Sequence, residues 1–246
     1  MQAQCSPKFS FPHLPDLSKG ITVVINEGQP DLAATFHIPE SLLKESSDFF
    51  RAACRNEWTE ATSRVIKLPD VELEIFSSYL FWIYRRRLPI RNEWDPRDDD
   101  CEEHAHLVQT RLTKLWILAD RLADMKFRNA TIDEMVAATG RLGDDSNFVL
   151  FTPDMTNVVW SAKTPGRSLR RLLLDFYIGN VWAEYVEENM DDLHPEFVKE
   201  LMLAALNKVD LQDSAFLTPF DRVSKEPCYY HDHDDEVREG GCGCVE

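Results

Sequence analysis

A change of hydrophobic period between residues 21 and 53 constrains the fold more than any other feature of this sequence. Apolar residues first recur at every second position, which is the period of a half-buried β-strand. A turn containing Gly28 and Pro30 separates two such runs. The first run contains Ile21, Val23 and Ile25, and the second contains Phe36 and Ile38. The pattern predicts a β-hairpin.

Helical spacing replaces this alternation after Pro39. Proline cannot donate to a sheet ladder, and the apolar residues that follow recur three or four positions apart. Ser46, Ser47 and Asp48 interrupt this run and are a good cap for a second helix, so we expect two short helices with a break at these residues. The apolar positions of these helices are Leu42, Leu43, Phe49, Phe50, Ala52 and Ala53.

A third strand and a longer helix are predicted next. Residues Arg64 to Leu68 alternate, with Ile66 and Leu68 on one face. Between Leu73 and Tyr84 the apolar residues recur at helical spacing, but the segment has too many aromatic residues for one buried stripe. These aromatic residues are Phe76, Tyr79, Phe81, Trp82 and Tyr84. Either this helix is buried nearly all round or it offers an aromatic face to a partner.

The remaining sequence is typical of helices separated by polar segments. An acidic loop is predicted over about residues 93–106, followed by two helices, the second from about Thr131 to Ala138. Further helices are predicted as far as residue 210. The fold class is therefore α+β, a three-stranded sheet flanked by helices, with a C-terminal helical extension. The predicted divisions are a lead-in (1–17), a domain (18–138), a helical extension (139–210) and a disordered acidic tail that contains cysteine and histidine (211–246).

The charge balance argues against nucleic acid as a partner. The chain has 27 basic and 43 acidic residues, a net charge of -16, whereas affinity for nucleic acid depends largely on Lys and Arg displacing counterions. One basic cluster, at Arg85, Arg86, Arg87 and Arg91, lies at the end of the aromatic helix. It is either a solvated helix end or a docking patch for an acidic partner.

Cysteine usage and the absence of long apolar runs favour an intracellular protein. The six cysteines are scattered along the chain, which is unlike a disulfide framework and typical of a reducing compartment. We find no secretory signal and no apolar segment long enough to span a bilayer. The expectation is a soluble protein of the cytoplasm or nucleus, without a membrane partner.

A set of ordered positions resembles a known family. In the first half these are Phe36, Ile38, Leu42, Leu43, Ser47, Phe49, Phe50, Ala52, Ala53, Trp58 and Glu60. They continue with Ile66, Leu68, Pro69, Phe76, Tyr79, Trp82, Tyr84, Leu115, Leu118, Ala119, Asp120, Leu122, Phe127 and Asn129. Their order and spacing resemble the BTB/POZ domain. The chain is most similar to the short fungal BTB-domain-containing proteins, whose downstream segment resembles Thr164, Ser168, Leu169, Arg170, Leu172 and Asp175.

The resemblance implies a non-enzymatic protein-protein interaction module that acts as a scaffold, with a second copy of itself among its protein partners. Some members are substrate adaptors for a cullin-RING ubiquitin ligase, so a cullin is an alternative partner. Such adaptors have an apolar residue two positions before a Glu, whereas Arg91 stands at that position before Glu93. The family's charged corner is replaced here by Pro39 and Glu40. The predicted interaction surface comprises Ile21, Val23, Trp58, Glu60, Arg85, Arg86, Arg87 and Glu93.

Sequence motifs for catalysis or cofactor binding are absent. The chain has no Gly-x-Ser-x-Gly and no glycine-rich phosphate loop, so we expect neither an enzyme nor a cofactor. The tail contains the ligand types that zinc prefers, at Cys228, His231, His233, Cys242 and Cys244. A metal-binding or metal-dependent protein is therefore a remote alternative. Because their spacing differs from the usual paired pattern, the tail is predicted to be disordered and to hold no metal.

Overall fold

The computed structural model describes residues 18–26, 33–55, 63–89, 101–140, 151–162, 167–181, 183–210 and 217–233. Over these ranges the chain is a mixed α+β protein with a three-stranded sheet and mostly helices, as predicted. The strands are β1 (Gly20–Ile25), β2 (Ala34–Pro39) and β3 (Val65–Leu68). The helices are α1 (Glu40–Ser46), α2 (Asp48–Ala53), α3 (Leu73–Arg85), α4 (Cys101–Arg121), α5 (Met125–Gly140), α6 (Pro153–Ser161), α7 (Arg167–Asn180), α8 (Ala183–Glu188), α9 (Pro195–Asp210) and α10 (Pro219–Lys225).

The sheet has the strand order β2-β1-β3. Strands β1 and β2 are antiparallel, with Val23 opposite Phe36, which confirms the predicted hairpin pairing. Strand β3 pairs with the other side of β1 in parallel, with Val23 opposite Ile66. A parallel pairing needs a crossover connection, and here the chain between β2 and β3, which includes α1 and α2, supplies it.

The prediction that Ile21 and Val23 form part of an exposed interaction edge is wrong. Strand β1 is the central strand, and the Ile21 and Val23 side chains are 2% and 0% exposed. The reason is the parallel pairing with β3, which covers the edge that a hairpin alone would have left open. These two residues stabilise the core.

The break between α1 and α2 occurs at Ser47, as the sequence predicts. The Ser47 hydroxyl accepts a hydrogen bond from the backbone N–H of Phe50 at 3.2 Å, which caps α2. The same hydroxyl donates to the carbonyl of Leu122 at the end of α4. Since Phe50 is fully buried, this cap also fixes α2 against the core.

Helix α3 is neither wholly buried nor wholly exposed. Phe76, Tyr79 and Trp82 lie in the core, whereas Tyr84 is 55% exposed. The helix ends at Arg86, which adopts a left-handed conformation (φ 53°) and donates its backbone N–H to the Trp82 carbonyl at 2.8 Å. The helix is therefore buried on one side and leaves Tyr84 in solvent on another.

Helix α4 begins at Cys101, inside the acidic loop predicted over residues 93–106. The loop prediction is wrong for residues 101–106, because polar composition alone does not distinguish an exposed helical turn from a loop. Helix α5 also begins earlier than predicted, at Met125. Asp124 precedes it, and a carboxylate oxygen of Asp124 accepts from the Phe127 N–H at 2.9 Å.

Aromatic residues also pack in the core of the second half of the chain. Phe151, Phe176 and Phe197 are fully buried. The Tyr177 ring packs against Phe197 with centroids 4.8 Å apart, and its hydroxyl donates to the Phe151 carbonyl at 2.6 Å. These contacts join α7 to α9 and to the segment that precedes α6.

The prediction of a disordered tail over residues 211–246 does not hold for residues 217–233. Helix α10 packs against α5 and α7, and the segment 226–233, here named the C-terminal strap, continues along the same two helices. Tyr230, in the strap, is 0% exposed. Eight residues in an irregular conformation have no hydrophobic period to detect, so the prediction failed there.

Candidate functional site

Part of the predicted interaction surface lies outside the described residues. This applies to Trp58, Glu60 and Glu93. The first strand is internal, as shown above. Of the predicted surface, Arg85, Arg86 and Arg87 are the residues that the described structure places in solvent.

The three arginines differ in how firmly they are held. Arg86 pairs with Glu45 of α1 at 3.2 Å, and the Arg87 guanidinium lies 5.7 Å from the centre of the Phe81 ring. All three side chains are exposed, so these contacts contribute little to stability. They do orient a positive group at one end of α3.

An apolar surface runs along α3 to these arginines. One side of α3, here named the α3 outer face, carries Leu73, Leu80, Phe81 and Tyr84. Leu73 and Tyr84 are 47% and 55% exposed, Phe81 is partly buried, and Leu80 is partly buried against the core. Exposed apolar side chains of this kind are used in protein-protein contacts.

A shallow groove lies beside the start of α3. It is lined by Asp70, Val71, Glu72, Ile75, Lys114, Ile117, Leu118, Arg121 and Val158, and its volume is about 270 Å³. The floor is apolar, and Lys114 pairs with Glu72 at 2.7 Å across the rim. Small-molecule sites commonly enclose roughly 300–1,000 Å³, so this groove suits one or two side chains of a protein partner better than a metabolite.

The corner at Pro39 and Glu40 is held by ion pairs. The Glu40 carboxylate contacts Lys44 at 2.5 Å and Arg64 at 2.8 Å. Hydrogen bonds from Lys44 and Arg64 lower the pKa of Glu40 below its ordinary value of 4.5. Glu40 thus pairs with two basic residues of the same chain.

A second carboxylate, Asp124, is buried at the start of α5. The Tyr79 hydroxyl donates to Asp124 at 3.3 Å, and burial raises the pKa of both groups. Because Asp124 caps α5 and is enclosed by core side chains, its partners give it a structural role.

The C-terminal strap is anchored on two helices through Asp232. The backbone N–H and carbonyl of Asp232 bind the Asn129 side-chain amide at 3.1 and 3.0 Å. Its carboxylate accepts from Ser168 at 2.9 Å and pairs with Arg128 at 3.1 Å. Asn129 and Arg128 belong to α5, whereas Ser168 belongs to α7, so the strap bridges the two halves of the chain.

Two tyrosines complete this anchor. The Tyr230 hydroxyl donates to the buried Asp175 carboxylate at 3.1 Å, and Lys208 pairs with the same carboxylate at 3.0 Å. Burial, together with the Asp175 charge, raises the pKa of Tyr230. The neighbouring Tyr229 ring lies between two guanidinium groups, with Arg171 at 4.4 Å and Arg222 at 4.6 Å from its centre.

The strap brings three of the predicted metal candidates together. One ligand atom from each of Cys228, His231 and His233 lies within 4.8 Å of the other two. His231 is nearly buried and contacts the Asp133 carboxylate through Nε2 at 2.7 Å. Cys228 forms a disulfide bond. The other two candidates, Cys242 and Cys244, lie outside the described residues.

Sequence reasoning missed the residues that support this cluster. Asn129, Asp133 and Ser168 are separated from the strap by 64 to 103 positions along the chain. No local pattern indicates contacts of this range. A polar residue on an otherwise apolar helical face was the available signal, and Ser168, which is buried beside Leu169 and Leu172, is such a residue.

Comparison with known proteins does not identify the chain. No protein-family model matches it, and no curated protein matches its sequence. Among the described residues, no helix is both long and apolar enough to cross a membrane.

Proposed function

We propose that this chain is a non-enzymatic protein-protein interaction module of BTB type. The element order through α5 agrees with the order on which the resemblance rests, and the sheet is mixed, with a central β1. The structural use of the buried carboxylates supports a non-enzymatic role. Asp124 caps a helix, and Asp175 binds Lys208 and Tyr230.

The α3 outer face is the observation that carries this proposal. Leu73 and Tyr84 leave about half of their surfaces in water, on a helix whose opposite side is fully packed. Burying the exposed halves against a partner contributes about 1 kcal/mol each at roughly 25 cal/mol per Å². The arginines at the end of α3 add a positive rim, and a second copy of this acidic chain offers a complementary charge.

Light scattering during gel filtration tests self-association directly. We expect the wild-type chain to form a dimer or larger species at tens of micromolar. The double variant Leu73→Asp, Tyr84→Asp should raise the dissociation constant about 100-fold or more, because two lost apolar contacts and two buried carboxylates both oppose association. Phe220→Asp is the matched control, since Phe220 is an equally exposed aromatic residue (50%) on a different helix.

Association with other proteins is tested by affinity purification from the native cell. Wild-type bait and the double variant, which should fold alike by circular dichroism, are compared. We expect the variant to lose the specific partners that wild type and the Phe220→Asp control retain. The proposed surface would be refuted if the wild-type chain is a monomer and also captures the same proteins as the double variant.

A further inference from the structure

We propose that the C-terminal strap binds one Zn²⁺ ion through Cys228, His231 and His233. A thiolate and two imidazoles are ligand types that zinc prefers, and three protein ligands leave the fourth tetrahedral position to water. The inference is independent of the proposed docking function.

The distances among the three described ligands are close to those of a tetrahedral site. Zinc bonds of about 2.0–2.3 Å give ligand separations of roughly 3.3–3.8 Å along the edges of the tetrahedron. The atoms of Cys228, His231 and His233 lie within 4.8 Å of one another, so side-chain rotations of about 1 Å bring them to bonding distance.

The Asp133 carboxylate fixes which nitrogen of His231 binds the metal. Nε2 of His231 lies 2.7 Å from Oδ1 of Asp133, and the imidazole is only 6% exposed. A proton on Nε2 makes Nδ1 the nitrogen with a lone pair for zinc. Histidine ligands of zinc commonly donate their second N–H to a carboxylate in this manner, which also raises their basicity.

The His233 imidazole has a buried nitrogen that a metal ion could bind. Its Nε2 is buried, and the described part of the chain gives this atom no hydrogen-bond partner. A buried polar atom without a partner is unfavourable and rare in folded proteins. Zinc coordination would satisfy it.

The residue between the two histidines holds them in place. Asp232 is bound to α5 through Asn129 and to α7 through Ser168, as described above. The rings of His231 and His233 lie on either side of this anchor in sequence, with centroids 6.0 Å apart. Two ligands are therefore preorganised before any metal arrives, which reduces the entropy lost on binding.

The Cys228 sulfur is bound either in the disulfide or to zinc. Two equivalents of a cellular thiol such as glutathione reduce the disulfide, giving two cysteine thiols and one oxidised glutathione. Zinc then displaces the proton of the Cys228 thiol and binds its thiolate. In a reducing compartment the metal-bound state is the expected one.

Metal analysis of the full-length chain tests the proposal. The protein is expressed with zinc in the medium, purified with a phosphine reductant, and analysed by mass spectrometry of the dissolved metal. We expect about one zinc per chain. Cobalt substituted for zinc should give the intense d–d bands of a tetrahedral site and a thiolate charge-transfer band.

Variants identify the ligands. Cys228→Ser and His233→Ala should lose the metal, whereas the controls Cys54→Ser and His37→Ala, which alter a free cysteine and an exposed histidine, should retain it. Asp133→Asn should keep the cobalt bands but weaken affinity about 10- to 100-fold, as a positioning residue does.

Two results would overturn the site. The first is less than about one zinc per five chains in the reduced wild-type protein, with no cobalt spectrum on titration. The second is full zinc retention in both Cys228→Ser and His233→Ala. The first result is measured on the wild-type chain, so a variant that fails to fold does not obscure it.

Discussion

Replacing Tyr230 by alanine should show how strongly the C-terminal strap stabilises the fold. The Tyr230 side chain is fully buried, and its hydroxyl donates to Asp175. An aromatic side chain of this kind buries roughly 150–250 Å², and at about 25 cal/mol per Å² this contributes around 4–6 kcal/mol. Because alanine keeps part of that area, we expect Tyr230→Ala to lower the free energy of unfolding by about 3–5 kcal/mol.

The Tyr230 hydroxyl contributes a smaller part of this loss in the free energy of unfolding. In Tyr230→Phe the ring remains, and Asp175 keeps its ion pair with Lys208 at 3.0 Å. Removing one hydrogen bond to a charged group costs about 1.5–3 kcal/mol. The phenylalanine variant should therefore be intermediate between wild type and Tyr230→Ala.

Urea and thermal denaturation followed by circular dichroism measure these losses. For a chain of this size, 3–5 kcal/mol corresponds to a fall in Tm of about 6–20 °C. Tyr84→Ala, the same substitution at a half-exposed tyrosine, is the matched control and should change stability by less than about 0.5 kcal/mol at low protein concentration.

Local detachment is the second way in which Tyr230→Ala could respond. If the strap leaves the surface while the remaining helices stay folded, the fall in Tm is limited to the free energy of docking the strap. Trypsin should then cleave faster after Arg222 and Lys225 in α10. Unchanged Tm and unchanged cleavage together would show that the strap does not stabilise the protein, and the reasoning from its burial would be refuted.

Two further predictions concern the first half of the chain. Glu40 has a lowered pKa, so its pairs with Lys44 and Arg64 stabilise the fold above about pH 4.5 and are lost as the pH falls through the folded pKa. Urea midpoints should therefore separate wild type from Glu40→Gln at pH 7 and converge near pH 3; a constant difference would contradict the pairing. Ser47→Ala should cost about 1–2 kcal/mol in urea, since it uncaps α2 and removes the bond to Leu122, and Ser47→Thr, which keeps the hydroxyl, should recover most of the loss.

The local elements of the first half were predictable because each depends on a short stretch of sequence. Alternation identified β1 and β2, and the cap at Ser47 divided α1 from α2. The position of β3 was not predictable in this way. Its parallel pairing with β1 joins residues more than 40 positions apart, and that pairing is what moved Val23 from an expected edge to the core.

The candidate site was still less predictable from the sequence. Cys228, His231 and His233 could be recognised by residue type, but the sequence alone favoured a disordered segment. What brings them together is a set of contacts from Asn129, Asp133 and Ser168, and these are decided by how α5 and α7 pack. Polar anchors of this kind leave no periodic signal.

The hydrogen bonds between Asn129 and Asp232 can form only late in the synthesis of the chain. The two residues are 103 positions apart, so α5 leaves the ribosome long before its partner in the strap exists. Synthesis proceeds at roughly 5–20 residues per second, so the Asn129 amide and the Asp133 carboxylate lack their partners in the strap for about 5–20 s. Throughout that interval the nascent polypeptide exposes this face of α5 to chaperones and to other newly made chains.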